Sequence, residues 1–175
     1  MRPLSSWMIA STSISTIMPC CVRPACTPVK TGSIYPAPHD AEMAGRSSLR
    51  VGDAGGLTQF GANIVMLEPG AKSSLRHWHE EQDEFVMITQ GTCTLIDDHG
   101  ETPLNPGDCA AFPANDGNGH HFINTTDDEA RFLVIGTRTP TETAWYSDLD
   151  LKISVDETGF TFTRKDGSPL KGDDK

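Results

Sequence analysis

The chain has 175 residues, enough for one well-buried domain and too few for two of ordinary size. Hydrophobic residues make up 37% of it, and no apolar run approaches the ~18 residues of a membrane helix, so a helical membrane protein is excluded. The formal net charge is −10, and residues 40–175 carry 11 basic against 24 acidic side chains, a balance that repels phosphate backbones and excludes nucleic acid as an expected partner.

Residues 1–39 differ from the rest. They are rich in Ser, Thr, Pro and Cys, contain no Asp or Glu, and keep neither a 3.6 nor a 2 period. Three readings stand: a signal segment over Ser6–Met18 interrupted by Ser and Thr, an acid-poor transit segment, or an upstream extension outside the fold. The expectation is a disordered leader over 1–39 and a single domain over 40–175. Pro19, Pro24, Pro28, Pro36 and Pro38 break helices, so no helix-turn-helix is expected ahead of the domain. Tyr35–Ala54 reads as loop or short strand.

From Gln59 onward short strands alternate with turns. Phe60–Leu67 ends at Glu68-Pro69-Gly70, Leu75–His79 alternates, and Glu84–Thr89 closes at Gly91. Thr92–Ile96 is expected to pair with Thr102–Leu104 across Asp97–Gly100, a turn composition. Cys109–Phe112, His120–Asn124 and Arg131–Gly136 complete about eight strands with no convincing amphipathic helix. Such regular turn spacing predicts an all-β sandwich or barrel. Lys152–Arg164 reads as a final hairpin turning at Asp156–Gly159.

The five cysteines do not form a disulfide framework, being odd in number and irregular in spacing. Cys20, Cys21 and Cys26 fall in the leader. Cys93 and Cys109 fall in strands and are expected as small core residues. A reducing, cytoplasmic setting follows.

The chemistry concentrates at His77-Trp78-His79, with Glu84 shortly after and His120 far downstream. Strand side chains alternate, so His77 and His79 share a face. A carboxylate and a third imidazole complete a possible three-nitrogen, one-oxygen metal set. Glu84 shares its face with Val86 and Ile88, and His120 with Phe122 and Asn124. Arg76, Trp78 and His121 then point the other way, and His121 is the rival to His120.

Gly70, His77-x-His79, Glu84 and Gly91 together resemble the first motif of the cupin superfamily, with one extra residue before His77. Gly107, Pro113, Gly117, His120 and Asn124 resemble the second, with two extra residues after the proline. The insertions fall in turns, where they are best tolerated. The resemblance implies a double-stranded β-helix, a jelly-roll-like barrel over about 57–137, carrying a C-terminal β-hairpin extension. It implies one divalent transition metal (Fe, Mn, Ni or Zn) held by His77, His79, Glu84 and His120. More narrowly the chain is similar to small single-domain bacterial cupins of undefined activity.

Two functions are carried forward. One is a metal-dependent enzyme on a small polar metabolite, a dioxygenase with Fe or an isomerase or lyase with Mn, Ni or Zn. The other is a non-catalytic module that senses or binds a small molecule. An enzyme should place at least one further ionisable group in the cavity over the metal; a sensor should not. No residue announces itself as a general base. Outward Phe85 and Met87 point to a homodimer.

Overall fold

The structure is a computed structural model and describes residues 21–170. The longest ladder joins β3 (Phe60–Leu67) to β10 (Ala130–Thr137), antiparallel from Phe60↔Thr137 to Leu67↔Ala130. These segments are rich in Val, Ile, Leu and Phe, which suit a pleated, half-buried surface. On the other side of β10 lies β5 (Glu84–Gln90), followed by β8 (Cys109–Phe112). On the other side of β3 lie β2 (Arg46–Leu49) and then β1 (Val29–Thr31), completing a six-stranded sheet.

A three-stranded sheet centres on β6 (Cys93–Asp97), flanked by β7 (Gly100–Leu104) and β9 (His121–Ile123). Asp97 pairs with Gly100, so the expected turn is a two-residue hairpin loop. A four-stranded sheet runs β4 (His77–His79), β11 (Glu142–Tyr146), β12 (Leu151–Asp156), β13 (Gly159–Thr163), with β11 next to β4. The only α-helix among the described residues is α1 (Val51–Ala54). The fold is the expected all-β double-stranded β-helix, and the eight strands read between residues 60 and 136 all form. No helix among the described residues is long and apolar enough to cross a membrane.

Period-two alternation fills the barrel. Val65 and Leu67 from β3, Val86 and Ile88 from β5, Phe122 from β9 and Phe132 from β10 all point inward and are buried. Each such side chain contributes about 1.5–3 kcal/mol on leaving water. Asn124, fully buried, donates from Nδ2 to the carbonyls of Leu67 (2.9 Å) and Asp128 (2.8 Å) and accepts from the Thr126 N–H, so its amide fixes the turn into β10. A second cluster joins Met43 and Leu75 to Ala144, Tyr146, Leu151 and Ile153, with Tyr35 and Phe162 packed against it.

Two expectations need correction. Residues 1–39 are not wholly a leader: Val29–Thr31 pairs with Ser47–Leu49, and the Tyr35 ring meets Tyr146 edge-on at 5.5 Å. A three-residue exposed edge strand has no period to reveal it. Ser6–Met18 and Cys20 lie outside the described residues. Cys93 is buried in the core, but Cys109 is exposed, because Ala110 and Phe112 take the inward face of β8 and alternation turns Cys109 outward. The expected C-terminal hairpin forms as β12–β13, and it extends the sheet that carries β4.

Candidate metal centre

His77 and His79 come from β4, a three-residue strand pinned from both sides. Its whole length pairs with β11, opposite Tyr146, Trp145 and Ala144. On the other edge, His77 and His120 exchange backbone hydrogen bonds of 3.1 and 2.9 Å, a single bridge that brings the third imidazole in from a distant segment. Glu84 opens β5 opposite Phe112. The His120 ring lies flat on Phe112, centroids 3.4 Å apart and 5° from parallel.

His77, His79 and Glu84 present donor atoms all within 4.8 Å of one another. His120 is not in that tightest group but stands beside it. Its Nε2 is 3.9 Å from Glu84 Oε1, and its ring is 5.2 Å from that of His77. His79 Nε2 is 3.7 Å from Glu84 Oε2. These separations are too long for hydrogen bonds. A cation about 2.1 Å from each of two donors leaves them at most about 4.2 Å apart, so both pairs are within span of one ion. His121 turns away, its Nδ1 3.1 Å from the Ser74 carbonyl.

The imidazoles fit a cation in a second way. His120 is 2% exposed, yet neither of its ring nitrogens has a hydrogen-bond partner, and His79 Nδ1 is likewise buried and unpaired. Buried polar atoms are rarely left so. Each residue's environment is distinct. His77 Nδ1 lies 2.8 Å from the Leu75 carbonyl, which assigns the proton to Nδ1 and leaves the Nε2 lone pair free. Burial, then the neighbouring His79 and His120, depress His77 to about 3. Burial also opposes charge on His79, but the carboxylates of Glu142 and Glu84 outweigh it and raise that imidazole to about 9. Burial likewise opposes the Glu84 carboxylate, and the surrounding imidazoles overcome it, holding the group well below the usual carboxylate range.

Glu142 is the residue that the motifs do not mark. It is 6% exposed, accepts the Glu80 N–H at 2.9 Å, and stands 3.8 Å from His79 Nδ1. It lies outside the motif-bearing stretch and reaches His79 only through the β4–β11 pairing. Behind the cluster Gly119, immediately before His120, packs on Ser147. A Cβ there would come 1.8 Å from Ser147 Oγ and 2.9 Å from Ser147 Cβ.

The cluster borders a cavity of about 440 Å³. Its apolar lining comes from Val65, Phe122, Phe132 and Val134, and further ionisable groups line it: Tyr35, Lys30, Arg46 and Arg50.

Comparison with known proteins gives a consistent picture. The Cupin domain family matches residues 63–136. A sugar phosphate isomerase of the cupin superfamily from Silicibacter pomeroyi is 63% identical over 87% of this chain and 98% of that one, with a TM-score of 0.86. A proposed sugar phosphate isomerase from Acidithiobacillus ferrooxidans is 26% identical over 71% of this chain and 80% of that one, with a TM-score of 0.66. A cupin-2 domain from Rhodospirillum rubrum, 18% identical over 79% of this chain and 78% of that one with a TM-score of 0.53, shares the fold. No curated protein matches this chain.

Proposed function

The chain belongs to the cupin superfamily, and on that premise we propose that it is a metal-dependent isomerase of phosphorylated sugars, with His77, His79, Glu84 and His120 as the ligands of one divalent transition metal. The observation that carries this reading is the cavity. It joins the imidazole–carboxylate cluster to Tyr35 and three cationic side chains, which a featureless binding pocket would lack. Within the two reactions left open for an enzyme, the 63% identical relative favours isomerisation over dioxygen chemistry.

Bound at the cluster, the metal supplies Lewis acidity to a chelated hydroxy-carbonyl group. The chain's own residues do the rest. The Leu75 carbonyl fixes the His77 tautomer, and Glu142 flanks the far side of the His79 ring. Val65, Phe122, Phe132 and Val134 give the cavity its apolar wall beside the cluster. Burial pushes the Tyr35 phenol above its ordinary pKa, so at neutral pH it faces the cavity as a neutral hydroxyl.

The test is elemental analysis of protein purified without a chelating tag, followed by turnover on aldose and ketose phosphates, for wild type and His79→Ala. About one equivalent of metal with isomerisation, both lost in the variant, is the expected result. Less than about a tenth of an equivalent under varied loading overturns the metal assignment. Metal without turnover on any sugar phosphate supports the sensing module instead. The proposal includes a homodimer, supported by Phe60 and Phe85, which stand exposed beside an apolar recess of about 410 Å³. A sedimentation run showing only an 18.9 kDa species at micromolar concentration removes the dimer.

A further inference from the structure

One part of the cavity lining carries a charge pattern opposite to that of the chain. The protein has 24 acidic side chains against 14 Lys and Arg. The cavity, however, is lined by Lys30, Arg46 and Arg50 and by a single carboxylate, Glu84, which sits among the histidines. The three cations are neighbours by register. Lys30 on β1 lies directly across from Ser48 on β2. Arg46, two residues before Ser48 on the same strand, shares its face by alternation, and Arg50, just past the end of β2, lines the same cavity.

Arg46 is the least exposed of the three, half-buried where Lys30 and Arg50 are exposed. Its Nε is out of solvent with no hydrogen-bond partner, and it enters no ion pair among the described residues. Arg50 lies near enough to repel it, and is itself only 3.7 Å from the exposed Asp53. Burial holds the Arg46 guanidinium below its ordinary pKa; Tyr35 offsets part of this, and the smaller repulsion from Arg50 adds to it. An unpaired, partly desolvated cation beside a second one is unfavourable until an anion arrives. A phosphate monoester suits the place: its oxygens match the guanidinium fork two at a time, and its second charge answers the remaining cations.

We infer that Arg46, Lys30 and Arg50 on the inner face of β1–β2 form the subsite for the substrate's phosphate, with Arg46 making the paired contact. The substrate would then span from the imidazole cluster to the strand that precedes the recognisable motifs. The choice of a sugar phosphate rests on the isomerase reading; the anion subsite does not, because its occupancy is measured without turnover.

The test is calorimetric titration of the full chain with inorganic phosphate at low ionic strength. Arg46→Gln should weaken binding about tenfold or more, and Lys30→Gln and Arg50→Gln, both at exposed positions, several-fold each. Arg131→Gln, whose partner is Glu129 outside the cavity, should bind as wild type does. The exposed-site variants keep the proposal testable if Arg46→Gln fails to fold. Unchanged affinity in the Lys30 and Arg50 variants together with unchanged affinity in any folded Arg46 variant overturns the subsite, since phosphate would then be landing elsewhere. Equal loss in Arg131→Gln, or acetate competing as well as phosphate, overturns it too. Phosphate binding with the expected losses but no turnover on sugar phosphates keeps the subsite and removes the isomerase. Turnover whose KM for a phosphorylated sugar does not move in Arg46→Gln does the reverse.

Discussion

The two apolar clusters of this molecule draw on different stretches of chain. The first, from Val65 to Phe132, lies wholly inside the segment that carries the two motifs. The second gathers Met43, Ala144, Tyr146, Leu151 and Ile153, residues from before and after that segment, around Leu75 from within it. Strand β4, bearing two of the proposed ligands, pairs along its full length with β11 from the second cluster and makes only one bridge toward His120. The lesson is that the motif residues provide the donor atoms while sequence outside the motifs holds half of them in place.

That division is open to direct attack. Leu67→Ala and Tyr146→Ala each remove a buried side chain and should each cost about 2–5 kcal/mol in denaturant unfolding. Their metal affinities should part: near wild type for Leu67→Ala, and about tenfold or more weaker for Tyr146→Ala, whose backbone partners His77. Equal affinities would erase the distinction between the clusters. Next in size, Glu142→Gln should weaken metal binding by about 10–100-fold, because a carboxylate beside a ligating imidazole sets its orientation and basicity. A loss of stability without a loss of affinity would make Glu142 merely a support for the Glu80 and Glu81 amides.

The pH dependence sharpens the same comparison. In the metal-free protein His79 is raised to about 9, above an unfolded value of about 6.5. Its stabilising contribution is therefore fully present below about 6.5 and disappears as pH climbs through about 9. Metal uptake at pH 7 should release a proton from His79, and affinity should rise with pH until about 9. Unfolding of chelated protein at pH 6 and 9.5, and proton release during metal titration in two buffers, measure both. The smallest effect belongs to Arg76, which donates to Asp148 at 2.6 Å and pairs with Asp98 on the outer face. Asp148 is 60% exposed, so Asp148→Asn should shift unfolding by less than about 1 kcal/mol.

Local periodicity made the barrel legible. His77 and His79 share a face because they stand two positions apart with only Trp78 between them, and Val86, Ile88 and Phe122 fall inward by the same parity. His120 could be preferred to His121 from its spacing to Gly117 and Asn124, and the structure turns His121 toward the Ser74 carbonyl. What stayed hidden depends on register between distant strands. Nothing near Glu142 says that β11 will lie against β4, and nothing near Arg46 says that β2 will line the cavity. The strand Val29–Thr31 was unreadable because three exposed residues in a Pro- and Ser-rich stretch carry no period. Cys109 was misplaced for a local reason: in a four-residue strand two parities compete, and Ala110 and Phe112 take the inward one.

Gly119 shows how such a scaffold limits its own drift. With a Cβ there 2.9 Å from the root of the Ser147 side chain, rotating the serine hydroxyl would not relieve the clash, and one of the two backbones would have to retreat. The next residue is His120, so even an alanine would be transmitted as a displaced imidazole. A position with no side chain to offer the candidate centre is thereby made as intolerant of substitution as the residues that line it, and laboratory evolution of the cavity would have to leave it alone.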